Sequence, residues 1–214
     1  MYLSRLLLNP RNRQAQRETA DPYNLHRTIL RAFNSDRETA SVLHRLEMNP
    51  RSGQMMLLVQ SAIRPDWGWL IEKGYLLPAD QSRDLENPAV KEVNLSLRDG
   101  QTLQFRLTAN PTIKKVRRDE NGKRLNSNRV PLLREEKQIV WLKKRATDNG
   151  FHIQHADISS QRKQTSRRKG ITVYTVQFNG RLQITDTQKF KKALEKGIGP
   201  AKAFGCGLLS LAPA

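Results

Sequence analysis

Gly197-Ile198-Gly199-Pro200-Ala201-Lys202-Ala203-Phe204-Gly205-Cys206-Gly207 holds four of the chain's 12 glycines in eleven residues. Glycine takes φ > 0 without steric cost and lets another backbone come close. Two Gly-x-Gly pairs, Gly197/Gly199 and Gly205/Gly207, stand either side of Lys202, which suits a loop laid against a phosphate chain. A plainer reading stands beside it. Phe190, Ala193 and Leu194 are spaced i, i+3, i+4 behind Asp186 as N-cap, so Gly197 also fits a helix C-cap. The dinucleotide fingerprint fails because Lys202 stands where its third glycine belongs, and the Gly-Lys-Ser/Thr of a P-loop is missing. The stretch is expected to be a phosphate-contacting loop between a helix and a last strand over residues 204–211.

Working outward from that helix-loop-strand ending, the second half reads as strand 102–108, helix 134–148, strands 151–158 and 171–178, and a short piece at 182–184. The first half has a strand at 1–8 and a polar, arginine-bearing loop at 9–18. Asp21 and Pro22 then open a helix striped by Leu25, Ile29, Ala32 and Phe33. Strands at 42–48 and 55–63 flank a turn, followed by a short helix at 65–73, a loop at 75–88 and a strand at 90–97. The order β-α-β-β-α-β closes at Arg98-Asp99-Gly100 and then begins again. This predicts an α+β fold of two tandem ferredoxin-like (βαββαβ, RRM-like) domains, residues 1–99 and 100–214.

A chain of 214 residues is long enough for two such units. Lys and Arg number 38 against 20 Asp and Glu, a net charge of +18. That excess points to a polyanionic partner, with nucleic acid ahead of a membrane surface. No apolar run is long enough to span a bilayer and no signal-peptide pattern opens the chain. The single cysteine, Cys206, leaves no intramolecular disulfide and no Cys-based zinc site, so the cytoplasm is the expected compartment. Two runs concentrate the charge. The first carries Lys114, Lys115, Arg117, Arg118, Lys123 and Arg124. The second carries Arg162, Lys163, Arg167, Arg168 and Lys169 between two strands, and is expected to be a mobile hairpin tip. Loops of this kind hold phosphates and need not read bases.

Four histidines are weighed singly. His44 lies mid-strand and reads as a packed or hydrogen-bonded residue. His152 and His155 read as surface residues on opposite sides of a strand, with no acidic partner nearby. His26 follows Tyr23 by three residues, which places both on one helix face, with Arg27 beside them. That face is expected to be polar and turned away from the Leu25/Ile29/Phe33 stripe.

The segments Asp21-Pro22-Tyr23-Asn24-Leu25-His26-Arg27 and Phe105-Arg106-Leu107-Thr108-Ala109-Asn110-Pro111 occur in order between Met1-Tyr2-Leu3-Ser4 and the closing residues 197–213. Together with Gln138-Ile139-Val140-Trp141-Leu142, they closely resemble the CasE-type CRISPR repeat endoribonuclease, a subunit of the Cascade complex. The resemblance runs nearly end to end. It implies a metal-independent RNase that needs no cofactor and cuts precursor CRISPR transcripts at the base of the repeat hairpin. The implied partners are that hairpin, the mature crRNA and the other Cascade subunits, with no membrane. The family's active-site Tyr and His match Tyr23 and His26, and its glycine-rich loop matches residues 197–207. Its groove-contacting hairpin matches Arg162, Lys163, Arg167, Arg168 and Lys169 by position and charge. No second histidine is expected for a full acid/base pair.

Overall fold

The computed structural model describes residues 1–80, 85–115, 117–122, 124–125 and 129–214. Its first half runs β1 (Tyr2–Leu7), α1 (Arg13–Thr19), α2 (Pro22–Leu30), α3 (Arg37–Ala40), β2 (Leu43–Met48), β3 (Met55–Ser61), α4 (Gly68–Glu72) and β4 (Ala89–Glu92). The antiparallel sheet has the order β2-β3-β1-β4. The second half has β5 (Thr102–Ala109), α5 (Glu135–Asp148), β10 (Phe151–Ser166), β11 (Ile171–Ile184), α6 (Thr187–Lys196) and β12 (Leu209–Pro213). Its sheet order, β10-β11-β5-β12, repeats the first. This strand order on a βαββαβ path is the ferredoxin-like arrangement, present twice. Between β5 and α5, two small ladders pair β6 (Thr112–Lys114) with β9 (Arg129–Pro131) and β7 (Arg117–Arg118) with β8 (Arg124–Leu125).

Each sheet has its own core. Leu6, Leu57 and Val59 pack with Leu25, Ile29 and Leu70 in the first. In the second, Leu103, Phe105 and Leu107 alternate inward along β5 under Trp141, Leu142 and Phe190. That alternation leaves Gln104 and Arg106 on the opposite, open face, as the period of two requires.

Several segments depart from the sequence reading; the strand expected over 90–97 ends at Glu92, and a short helix, α3, occupies 37–40. The polar stretch 9–18 contains helix α1, N-capped by Asn12, whose side chain accepts from Ala15 N. Ala15 is its one buried residue, so no apolar stripe signalled it. β10 and β11 form one long hairpin of 16 and 14 residues, and residues 182–184 belong to β11. The backbone ladder continues through Arg, Lys and Gln, where side-chain alternation gives no sign of it. The last strand starts at Leu209, because residues 202–204 form a single 3-10 turn.

The halves are locked together by polar contacts. The Arg45 guanidinium donates to Leu208 O (3.2 Å), Arg106 O (3.4 Å), Ser210 Oγ (2.9 Å) and Glu47 (2.8 Å). Gln60 Nε2 donates to Leu194 O at 2.7 Å and Ser41 Oγ to Glu195 O at 3.1 Å.

Candidate active site

Helix α2 sets the frame. Asp21 caps it by accepting from Tyr23 N at 3.0 Å, and Pro22 fills the first helical position, whose N–H would have no partner. Ser166 Oγ, at the end of β10, reaches the other Asp21 oxygen at 3.3 Å. Burial works against the Asp21 charge, but hydrogen bonds from Ser166 and from the backbone of Tyr23, Asn24 and Arg168 outweigh it. They hold the carboxyl below its usual value. The basic hairpin is thus fastened at its tip to the start of α2, and Lys169 Nζ lies 5.1 Å above the Tyr23 ring.

His26 does not sit on a polar face, as the sequence reading expected. It is 4% exposed, and its ring stacks on that of His44 with centroids 5.5 Å apart and planes 20° apart. At 100° per residue His26 is only about 60° round the helix from Ile29, so covering the apolar stripe covers it too. Arg27, further round, is exposed. His44 enters from β2 and is 1% exposed. Burial and, secondarily, a charge on His26 push its pKa down to about 3, so it is neutral at ordinary pH. His44 is thus the packed strand residue its position between Val42 and Leu46 suggests, and its stacking on His26 is what the sequence did not show. His44 shares strand parity with Leu46, and a titratable ring at an inward-facing position is the signal that could have found it.

The glycine-rich tail closes the site from the other side. Gly197 caps α6 at φ 73°, and a Cβ there would stand 2.6 Å from Leu43 Cδ2, beside His44 on β2. Ile198 N donates to Gly207 O at 3.0 Å, and Gly207 N to Thr108 O at 2.8 Å, which folds the stretch back on β5. Gly205 passes His44 at ordinary contact distance, its position for a Cβ lying 3.6 Å from His44 O. Gly199 lies against Trp141. Lys202 opens the 3-10 turn between the two glycine pairs.

A cleft of about 420 Å³ opens over this junction. Its lining includes Pro22, His44, Arg45, Gly205, Arg162 and Lys163, but not Tyr23 or His26, which lie beside it on α2. Arg167, Arg168 and Lys169 are exposed at the hairpin tip. Gln16 and Thr19 of α1 also line the cleft, a contribution hidden by reading that segment as loop. Lys114 and Lys115 are exposed on and just beyond β6, outside the cleft lining. Arg117 and Arg118 belong to β7, but their side chains, like Arg124's, fall outside the described residues, as does Lys123 entirely. Elsewhere, His155 has an acidic partner after all, its Nε2 being 2.8 Å from Asp157 Oδ2. Among the described residues, no group of three or more His, Cys, Asp or Glu is placed to hold a metal ion.

Comparison with known proteins gives one consistent family. The model of the CRISPR-associated protein family matches residues 1–213. The chain is 33% identical over 233 residues to the CRISPR-associated endoribonuclease Cse3 of Thermus thermophilus, covering 100% of both chains. It is 42% identical over 131 residues to the Cascade subunit CasE of Escherichia coli, covering 58% of this chain and 64% of that one. The structure of Thermus thermophilus Cse3 bound to an RNA representing a pre-cleavage complex matches with a TM-score of 0.84 at 33% identity, over 99% of this chain and 98% of that one. Escherichia coli Cas6e matches with a TM-score of 0.72 at 31% identity, over 100% of each chain. With two ferredoxin-like folds and full-length likeness to Cse3, this chain belongs to the CRISPR-associated protein family as a CasE-type member.

Proposed function

We propose that this protein is an endoribonuclease that binds the CRISPR repeat hairpin in precursor transcripts and cleaves at its base. It then stays on the mature crRNA as a Cascade subunit, in the cytoplasm. The observation that carries the reading is the meeting of three remote segments around helix α2: the basic hairpin tip bonds its N-cap Asp21, its His26 stacks on His44, and the glycine-rich tail passes that His44. The division at residues 99 and 100 puts the catalytic helix on the first domain and the two RNA-gripping segments on the second.

RNA brings its own nucleophile, the 2′-hydroxyl, so the protein must supply proton transfer, in-line geometry and positive charge near the phosphate. His26 is the proton carrier. Tyr23, three residues before it on the same helix, orients the hydroxyl or the nucleotide. Arg162 and Lys163, in the cleft lining, offset charge on the pentacoordinate phosphorane. Arg27, Lys202 and the exposed tip cations Arg167, Arg168 and Lys169 grip the stem by its phosphates, because A-form RNA hides its base edges in a deep, narrow groove. Lys114, Lys115, Arg117 and Arg118 extend that grip, and the glycines Gly197, Gly199, Gly205 and Gly207 let the tail lie close to the backbone. The products carry a 2′,3′-cyclic phosphate on one side of the cut and a 5′-hydroxyl on the other.

The burial of His26 favours a second reading, a non-catalytic RNA-binding subunit on the same fold. Incubating repeat hairpin RNA with the protein in excess EDTA separates the two, with the new termini mapped. Site-specific cutting to the cyclic phosphate, blocked by a 2′-deoxy nucleotide before the scissile bond, is the expected result. Intact RNA at saturating binding would leave the second reading.

A further inference from the structure

The catalytic cleft does not end at the stem-binding tip. It shares Leu46, Met48, Thr108, Arg162 and Gln164 with a depression of about 130 Å³ over the second sheet. That depression in turn shares Glu47 and Arg106 with a groove of about 820 Å³ between the two halves. The three make one continuous channel. Its floor is the open face of the second sheet, where β11 presents Thr175, Gln177, Asn179 and Arg181 in turn. The six steps from Thr175 to Arg181, at roughly 3.3 Å each, make about 20 Å of track.

The chemistry of this track fits a polyanion. Arg162, Arg106 and Arg181 punctuate it, with amides and hydroxyls between them. Its acidic wall residue, Glu47, is held by Arg45 at 2.8 Å and Arg106 at 3.3 Å, so positive charge remains in excess. Phe105, the aromatic residue at the groove, is 5% exposed and offers no ring face for stacking. Single-stranded nucleic acid is held by a positive groove that tracks the backbone together with aromatic platforms. Here the first is present without the second, so phosphates and base edges are gripped and sequence is read weakly.

We propose that this channel holds the single strand that continues past the scissile phosphate, the 3′ flank of the repeat. The inference rests on the endoribonuclease reading, in which the stem occupies the hairpin tip and the scissile phosphate lies at the cleft. The strand leaving the cleft away from the stem then meets the channel. Uncut RNA is held on a longer track than the cleaved product.

The test uses repeat hairpins made uncleavable by a 2′-deoxy nucleotide before the scissile bond. They carry either one or about eight nucleotides past it, and a matched pair varies the 5′ flank instead. Binding is measured by fluorescence anisotropy for the wild type, Arg181→Glu and Arg181→Gln. In the wild type the longer 3′ flank is expected to tighten Kd about fivefold to tenfold. Two further phosphates neutralised on a single strand should also steepen the log Kd–log salt slope by about 1.4. Both gains should vanish in Arg181→Glu and shrink in Arg181→Gln. Each variant is compared with itself on two RNAs, so a general loss of affinity cancels. Equal Kd for both 3′ flanks, a gain from the 5′ flank alone, or a gain that survives Arg181→Glu would overturn the proposal. A cleavable hairpin run in parallel keeps the two questions apart, since absence of specific cutting there would sink the endoribonuclease reading itself.

Discussion

His44 provides the sharpest test of the site, because its titration is written into the stability of the whole fold. Burial, together with the His26 charge, moves its pKa from 6.5 down to about 3. Below pH ~6.5 an unfolded chain takes up a proton at this ring that the folded chain refuses, so stability falls with pH. The contribution is fully present above pH ~6.5 and is lost progressively down to pH ~3, at about 1.4 kcal/mol per unit. Between pH ~7.5 and pH ~4.5 the loss from this one ring is on the order of 2–3 kcal/mol, a sizeable share of a typical 5–15 kcal/mol. Asp21 and the other carboxylates with lowered pKa values add losses of the same sign at lower pH. The informative quantity is therefore the difference between wild type and His44→Gln, read from urea unfolding at the two pH values. His152→Gln, on an exposed ring, serves as control. The wild type should lose about 2–3 kcal/mol more than His44→Gln, while His152→Gln follows the wild type. If wild type and His44→Gln lose the same amount, the ring is not held neutral in the fold, and the buried stack as described is wrong.

Three further outcomes follow from the site. His26→Ala should slow cleavage by about 10²–10⁴ while changing hairpin Kd little, in single-turnover assays beside filter binding; undiminished cutting removes His26 from the chemistry. Gly197→Ala forces a Cβ to 2.6 Å from Leu43 Cδ2 at φ 73°. Strain and overpacking should together cost about 2–5 kcal/mol, a fall in Tm of roughly 5–15 °C by calorimetry; an unchanged Tm would deny the close approach. The double variant Arg162→Ala/Lys163→Ala should flatten the salt dependence of hairpin binding by about 1.8 in the log–log slope, and an unaltered slope would place both side chains off the phosphates.

Much of this was legible in the chain because local chemistry and fold agree. Asp21-Pro22 names a helix start, and the i, i+3 spacing brings Tyr23 and His26 to one side of that helix. Strand parity in 102–108 separates core from open face without any structure. Two kinds of feature were hidden. One is structure whose signal is not apolar, as in α1 with its single buried alanine, or in the outer half of β10 with Arg162 and Lys163 among polar residues. The other is burial created by segments remote in sequence. His26 looks surface-bound when α2 is considered alone, and it becomes enclosed only when β2 and the tail pack against it. Neither contact has a trace in sequence spacing, since His44 lies 18 residues from His26 and the tail some 170.

That separation also explains why the interface between the halves is polar and tightly specified. Arg45 is 3% exposed, and its guanidinium ties together Glu47, two backbone carbonyls and Ser210. Burying such a charge adds little net stability over an apolar pair, but breaking its network is costly and its geometry admits few registers. An apolar seam would tolerate sliding of one sheet against the other. The fork of Arg45 reaches Leu208, next to the tail's last glycine, and Arg106, on the open face of β5. It therefore fixes where the tail and hairpin fall relative to the neighbouring His44. A site assembled from two domains needs its register more than it needs the extra stability, and the residue next to His44 supplies that register.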